Sequence, residues 1–248
     1  MAVHVTADNE TYHLQCRTKA VNQIPVNRFN TEQVFKIQYP NEWESQSNIC
    51  ELKQVLPGSL EFNRIRDEIY KTVPRTARIS IQRIQNQHLW RRYFFERQFV
   101  AEKNGGISNE MDLFHGTRST RPVEIYNGEE GFDMRHSKTG MWGVGIYFAS
   151  SASYSLNYAY DDSLTNSKQF IFSKVAVGSP YVCIKGDTSL RTPPQKQETQ
   201  ISRSKIPFAI DFYDSVVGII GKSKIFTVYS NSKAYPSYLI SIQLPGPI

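Results

Sequence analysis

The chain's 248 residues, 40% apolar and 12% aromatic, supply enough side-chain area for a core and exclude a disordered polymer. Its formal charge of +6 permits an anionic partner. The cations are dispersed (Arg91, Arg92, Arg203, Lys205, Lys222, Lys224), which suits a solvated surface better than a dedicated nucleic-acid face. Cys16, Cys50 and Cys183 lie far apart with no C-x-x-C pair, and no stretch approaches the ~20 apolar residues of a membrane span. Neither a metal nor a membrane is therefore expected. With no leading segment like a signal peptide, an intracellular location, cytoplasmic or nuclear, is expected.

Residues 1–33 are polar and weakly patterned, as a tail or the remnant of an upstream domain would be, and residues 34–248 read as one domain. In "GSLEFNRIRDEIYKTVP", Ser59 is placed to cap a helix whose stripe is Phe62, Ile65, Ile69 and Val73, with Pro74 beyond its end. "ARISIQRIQ" alternates Ile79 and Ile81 with polar residues as a half-buried strand does. "QHLWRRYFFERQFVAEKNGG" reads as a second helix stopped by Gly105 and Gly106. From Met111 short strands dominate: "DLFHG", "GIYFA", "QFIFSKVAVG", "KIFTVYS" and "YPSYLISI". The last two flank "NSKA", which suits a hairpin loop. One helix is predicted over about residues 151–160, and residues 185–205 read as a polar, proline-bearing surface loop. Helices early and strands late indicate an α+β fold.

Three features near the middle could carry chemistry. His115 in "LFHGTRST" either ends a strand structurally or faces a site. The glycines of "GMWGVGIYFA" lack the spacing of a dinucleotide fingerprint, since Gly143 and Gly145 precede their strand, and they suit a turn into a buried strand. Tyr147, Tyr154 and Tyr158 with Ser151, Ser153 and Ser155 concentrate rings and hydroxyls at a strand-to-helix junction. Such a set serves either core packing or a pocket for a planar heterocycle.

In order, "HGTRST", "GFDMRHSKTGMWGVGIYFA", "SYSLNY" and "FYDSVVG…KIFTVYSNSKAYPSYLI" resemble the catalytic domain of the poly(ADP-ribose) polymerase family. "YPNEW" and "ISIQRIQNQHLWRRY" make the chain most similar to the branch that attaches single ADP-ribose units. The resemblance implies an ADP-ribosyltransferase fold: two packed, mainly antiparallel sheets forming an NAD cleft, with flanking helices. It also implies an NAD-dependent transferase (a glycosyltransferase) that releases nicotinamide. No metal takes part, and the cysteine-rich zinc insert of the tankyrases is missing. The implied partner is an acceptor protein, this chain itself included, with a nucleic-acid acceptor left open; the chain is expected to be a monomer. The alternative is a silent module of the same fold that serves as a binding surface.

Carried over residue by residue, His115 of the H-G-T motif would hold a ribose hydroxyl, with Thr117 beside it in the donor site. Gly116 would offer its backbone to the nicotinamide carboxamide and Ser155 a further hydrogen bond. Tyr158 would stack on the nicotinamide ring and Tyr147 close its other side. The loop 130–141 would lie over the donor, with Arg135 and His136 lining it. Polymerising members have a glutamate at the third catalytic position, and in "GKSKIFTVYS" that position is Ile225. Isoleucine has no oxygen to accept a hydrogen bond, so the His115, Tyr147 and Ile225 set implies single-unit transfer. A carboxylate on the acceptor could then supply the missing base. Ser237, in "YPSYL", lies on a later strand and is not this position.

Overall fold

The computed structural model describes residues 36–197 and 211–244. The expected tail over 1–33, Cys16 and the polar segment from residue 198 to 205 lie outside those residues. After strand β1 (Cys50–Gln54), helix α1 (Leu60–Tyr70) begins where Ser59 Oγ accepts the Phe62 N–H at 3.1 Å, and it buries Phe62, Ile65 and Ile69. Val73, the last residue of the stripe, is buried just past the helix end. Strand β2 (Arg78–Asn86) runs into α2 (Gln87–Lys103), which the Asn86 side chain caps by accepting the Leu89 N–H. The chain then turns through Gly105 and Gly106, both at positive φ.

The strands that follow are β3 (Glu110–His115), β4 (Thr139–Gly140), β5 (Gly143–Val144), β6 (Ile146–Ala149), β7 (Tyr160–Asp162), β8 (Ser167–Ala176), β9 (Pro180–Val182), β10 (Ser215–Ile220), β11 (Ser223–Val228) and β12 (Ala234–Gln243). Two short helices lie among them, α3 (Pro122–Tyr126) and α4 (Ala152–Leu156). The strand order is β1-β2-β12-β8-β3-β6-β11-β10-β9, with β7 on β8; β4 and β5 form a separate two-stranded hairpin. Pairing within the large sheet is antiparallel except between β9 and β10. β3 and β6 meet through one residue pair, Phe114 with Ala149. The two expected sheets are thus two halves of one ten-stranded sheet, joined at that pair.

Both faces of the central strands are covered, which is why they read as nearly continuous apolar runs. In β8, Phe170 and Phe172 pack with α1 residues Phe62, Ile65 and Ile69, while Ile171 and Val175 face Leu113, Phe132 and Phe148 on the other side. Three expectations need correction. "NSKA" joins no hairpin, because β11 pairs with β6 and β10 whereas β12 lies between β2 and β8. The helix over 151–160 ends at Leu156, and its last residues instead form a turn and β7, which is drawn into the ladder by β8. The segment from 185 is not all surface. Leu190 O accepts the Val144 N–H at 3.0 Å, and Lys196 is buried against Asp211 at 3.0 Å, since a buried cation needs its counter-charge.

Candidate active site

The site opens where β3 and β6 part. One residue past the Phe114–Ala149 pair, the His115 side chain takes over, with Nδ1 2.7 Å from Tyr147 O. A carbonyl only accepts, so Nδ1 carries the proton and Nε2 keeps its lone pair. Phe132 and Phe148 hold the ring at centroid distances of 5.0 and 5.3 Å. Desolvation pulls its pKa down to about 4 against the opposing hydrogen bond to Tyr147 O, so the imidazole is neutral at pH 7. His115 therefore presents a fixed hydrogen-bond acceptor.

Gly116 follows with no space to spare. A Cβ there would lie 2.5 Å from Ser155 O and 2.6 Å from both Cβ and O of Tyr158. Thr117 is buried and its Oγ1 has no partner among the described residues. Arg118, at φ +55°, donates its N–H to Tyr158 O at 2.7 Å and lays its guanidinium 4.3 Å from the Tyr158 ring centre. The histidine loop and the turn after α4 are thus pressed together. Ser151 caps α4 through Tyr154 N–H, and Tyr158 N–H bonds Ser155 O at 2.9 Å, so Ser155 and Tyr158 stay adjacent although Tyr158 is outside the helix. Ser151 and Ser153 bond each other at 2.9 Å and do not line the cavity.

Across the opening, the Tyr147 hydroxyl donates to Gly143 O at 2.8 Å and accepts the Trp142 N–H at 2.9 Å. Tyr229 donates to Trp142 O at 2.6 Å, so two tyrosines grip the backbone on both sides of Trp142 in the β4–β5 hairpin. The Trp142 indole is 2% exposed and lies over Gly218, where a Cβ would be 2.1 Å from the ring. Gly218 pairs with Ile225, which is itself 1% exposed and packs with Trp142, Ala149 and Val216. Ile225 is thus part of an apolar anchor under the hairpin as well as a wall of the cavity.

The cavity is about 760 Å³, within the range of small-molecule sites, and His115, Gly116, Tyr147, Ser155, Tyr158 and Ile225 all line it together with Thr117. Loop residues Arg135 and His136 also line it but are exposed and turned toward Asp133, at 2.7 and 3.7 Å. Residues 59–244 match the family described as poly(ADP-ribose) polymerase catalytic domain. The chain belongs to that family. Among curated relatives of this poly(ADP-ribose) polymerase domain is a probable poly(ADP-ribose) polymerase of Dictyostelium discoideum, 33% identical over 82% of the chain. Human protein mono-ADP-ribosyltransferase PARP14 is 28% identical over 84%, and mouse PARP12, also named a protein mono-ADP-ribosyltransferase, is 32% identical over 74%. The aligned parts span 57%, 11% and 24% of those relatives. Among the described residues, no helix is long and apolar enough to cross a membrane, and no group of three or more His, Cys, Asp or Glu is placed to hold a metal.

Sequence reasoning about this poly(ADP-ribose) polymerase domain missed Arg118, Trp142 and Tyr229. The signal for Trp142 was available: a tryptophan flanked by Gly140, Gly143 and Gly145 marks close backbone approach, and Gly143 indeed sits at φ +75° against Leu190. Nothing local marks Tyr229. The hydroxyl pairing yields a prediction for the hairpin. Tyr147→Phe keeps the ring but leaves Trp142 N–H and Gly143 O without it, which is expected to lower stability by about 1–2 kcal/mol. A thermal midpoint equal to that of the unaltered protein would show that the latch carries no load.

Proposed function

We propose that residues 34–248 act as an NAD-dependent protein mono-ADP-ribosyltransferase that moves one ADP-ribose to an acceptor side chain and releases nicotinamide. The observation that carries this reading is the neutral His115, whose free Nε2 shares one cavity with Gly116, Ser155 and two tyrosines but faces no carboxylate at Ile225. The residues suit the donor. Thr117 offers a buried hydroxyl with no partner among the described residues, and Gly116 lets the histidine loop close on Ser155 and Tyr158 where any side chain would collide. NAD supplies a nicotinamide–ribose bond whose cleavage builds positive charge on the ribose, as in glycoside cleavage.

In this reading His115 Nε2 accepts a ribose hydroxyl and fixes the sugar. Gly116 and Ser155 hold the carboxamide, Tyr158 stacks on the leaving ring, and Tyr147 closes the opposite side. Arg118 holds the Tyr158 ring in place through its stacked guanidinium. Positioning both halves of the breaking bond lowers the entropy cost of the transition state. The acceptor is a protein side chain, this chain's own included. Free thiols at Cys50 and Cys183 fit a reducing compartment, cytoplasm or nucleus. The names of the PARP14 and PARP12 relatives support single-unit transfer.

The test is to incubate the chain with labelled NAD and measure nicotinamide release and the mass added to the chain and to added protein. Single ADP-ribose increments are expected. Long ladders would overturn the inference from Ile225. No transfer, with no thermal shift from NAD or a nicotinamide mimic, would overturn the enzyme reading.

A further inference from the structure

Beside Ile225 the cavity wall carries Tyr154, a polar group whose proton no acceptor among the described residues takes. Tyr154 lines the cavity and packs on the apolar cluster that contains Ile225 and Trp142. Its ring lies 5.3 Å from that of Tyr158, and the Tyr158 hydroxyl donates to the Tyr154 oxygen at 3.4 Å. Tyr158 is in turn held by Arg118, through the backbone bond and the stacked guanidinium. That donation turns the Tyr154 O–H away from Tyr158, and no acceptor among the described residues takes it. The other two hydroxyls at this end are spent: Tyr147 donates to Gly143 O and Tyr229 to Trp142 O.

We propose that Tyr154 is the acceptor-side specificity residue, its free O–H receiving a carboxylate of the acceptor protein and holding it for attack on the ribose carbon. This rests on the functional reading above and adds to it the residue that selects the acceptor. Burial and the neighbouring Tyr158 push the Tyr154 pKa up to about 12, so the group stays a neutral donor at physiological pH. The step balances without a base. One carboxylate oxygen forms the new C–O bond as the carbon–nitrogen bond breaks, and its electron pair leaves on the nicotinamide nitrogen. The carboxylate's negative charge and the ring's positive charge cancel, and no proton moves. A serine hydroxyl acceptor would have to shed a proton, and neither Ile225 nor a protonated tyrosine can take it while His115 Nε2 is engaged by the ribose hydroxyl.

The decisive comparison is Tyr154→Phe against the unaltered chain, with NAD and a glutamate-bearing acceptor peptide. The phenylalanine ring preserves packing, and an unchanged thermal midpoint verifies this. Loss of one hydrogen bond to a charged group is expected to raise KM for the peptide about tenfold, with KM for NAD unchanged. An unaltered KM for the peptide overturns the proposal, as does a rise confined to KM for NAD, which would put Tyr154 in the donor site. If the unaltered chain releases no nicotinamide at all, the functional reading falls and takes this one with it.

Discussion

His115→Ala is expected to cut ADP-ribosyl transfer by about a thousandfold, effectively abolishing it, with the fold retained. The size follows from removing one preoriented hydrogen bond to a group whose charge develops in the transition state. The imidazole is oriented by Tyr147 O and two phenylalanine rings, so nothing else on β3 can move into its place. Retention of fold is expected because β3 keeps six pairs with β8, from Glu110 to His115, made by the backbone. Labelled-NAD transfer and circular dichroism check the two halves of this expectation, and full activity in the variant would remove His115 from the site.

The same residue sets a pH dependence. Its folded pKa of about 4 lies below the ordinary 6.5, so folding favours the neutral ring. Above 6.5 that contribution to stability is fully present. As pH falls below 6.5 the unfolded chain takes up the proton first, and the contribution drains away down to about 4. Transfer is expected to stay level from roughly pH 5 to 8 as far as His115 is concerned, and to collapse as its ring protonates.

Gly116→Ala is the second large effect. Of the three atoms a Cβ would meet, two are backbone oxygens and one is the Cβ of Tyr158, at 2.5 to 2.6 Å, and none can swing aside. The histidine loop and the turn bearing Tyr158 must separate, stretching the Arg118–Tyr158 bond that draws them together. Overpacking of this kind costs about 1–3 kcal/mol. A misplacement of about 1 Å between the leaving ring and the ribose costs about a hundredfold in kcat/KM for NAD. The thermal shift from a nicotinamide mimic is expected to vanish. An alanine variant with normal kcat/KM would mean that the close contact of Gly116 with Ser155 and Tyr158 does not position the ring.

Local features were legible in the sequence where one element decides its own structure. Ser59 and the Phe62, Ile65, Ile69 stripe set α1, and alternation set β2, because capping and burial act over a few residues. Strand order was not legible. "NSKA" has the length of a hairpin loop, but a loop's length does not reveal that β12 has better partners in β2 and β8 than in β11. At the site, the ordered motifs named residues that the fold brings to one cavity, from His115 to Ile225. The groups behind them escaped notice. Arg118, Trp142 and Tyr229 act through a stacked ring and through backbone atoms distant in the chain, and neither contact leaves a pattern at fixed spacing.

The position of β12 also governs how the molecule can be made. This strand comes after every other described strand, yet it is central in its half-sheet, with Ile242 opposite Ile79 on one side and Lys168 on the other. Until it arrives, β2 and β8 each lack a neighbour, and β8 is the strand against which β3 aligns His115. Assembly must therefore wait for contacts between distant parts of the chain, which makes folding slow and leaves apolar strand edges exposed meanwhile. A nascent chain halted before Ala234 would carry every residue of the donor cavity on a sheet still open between β2 and β8.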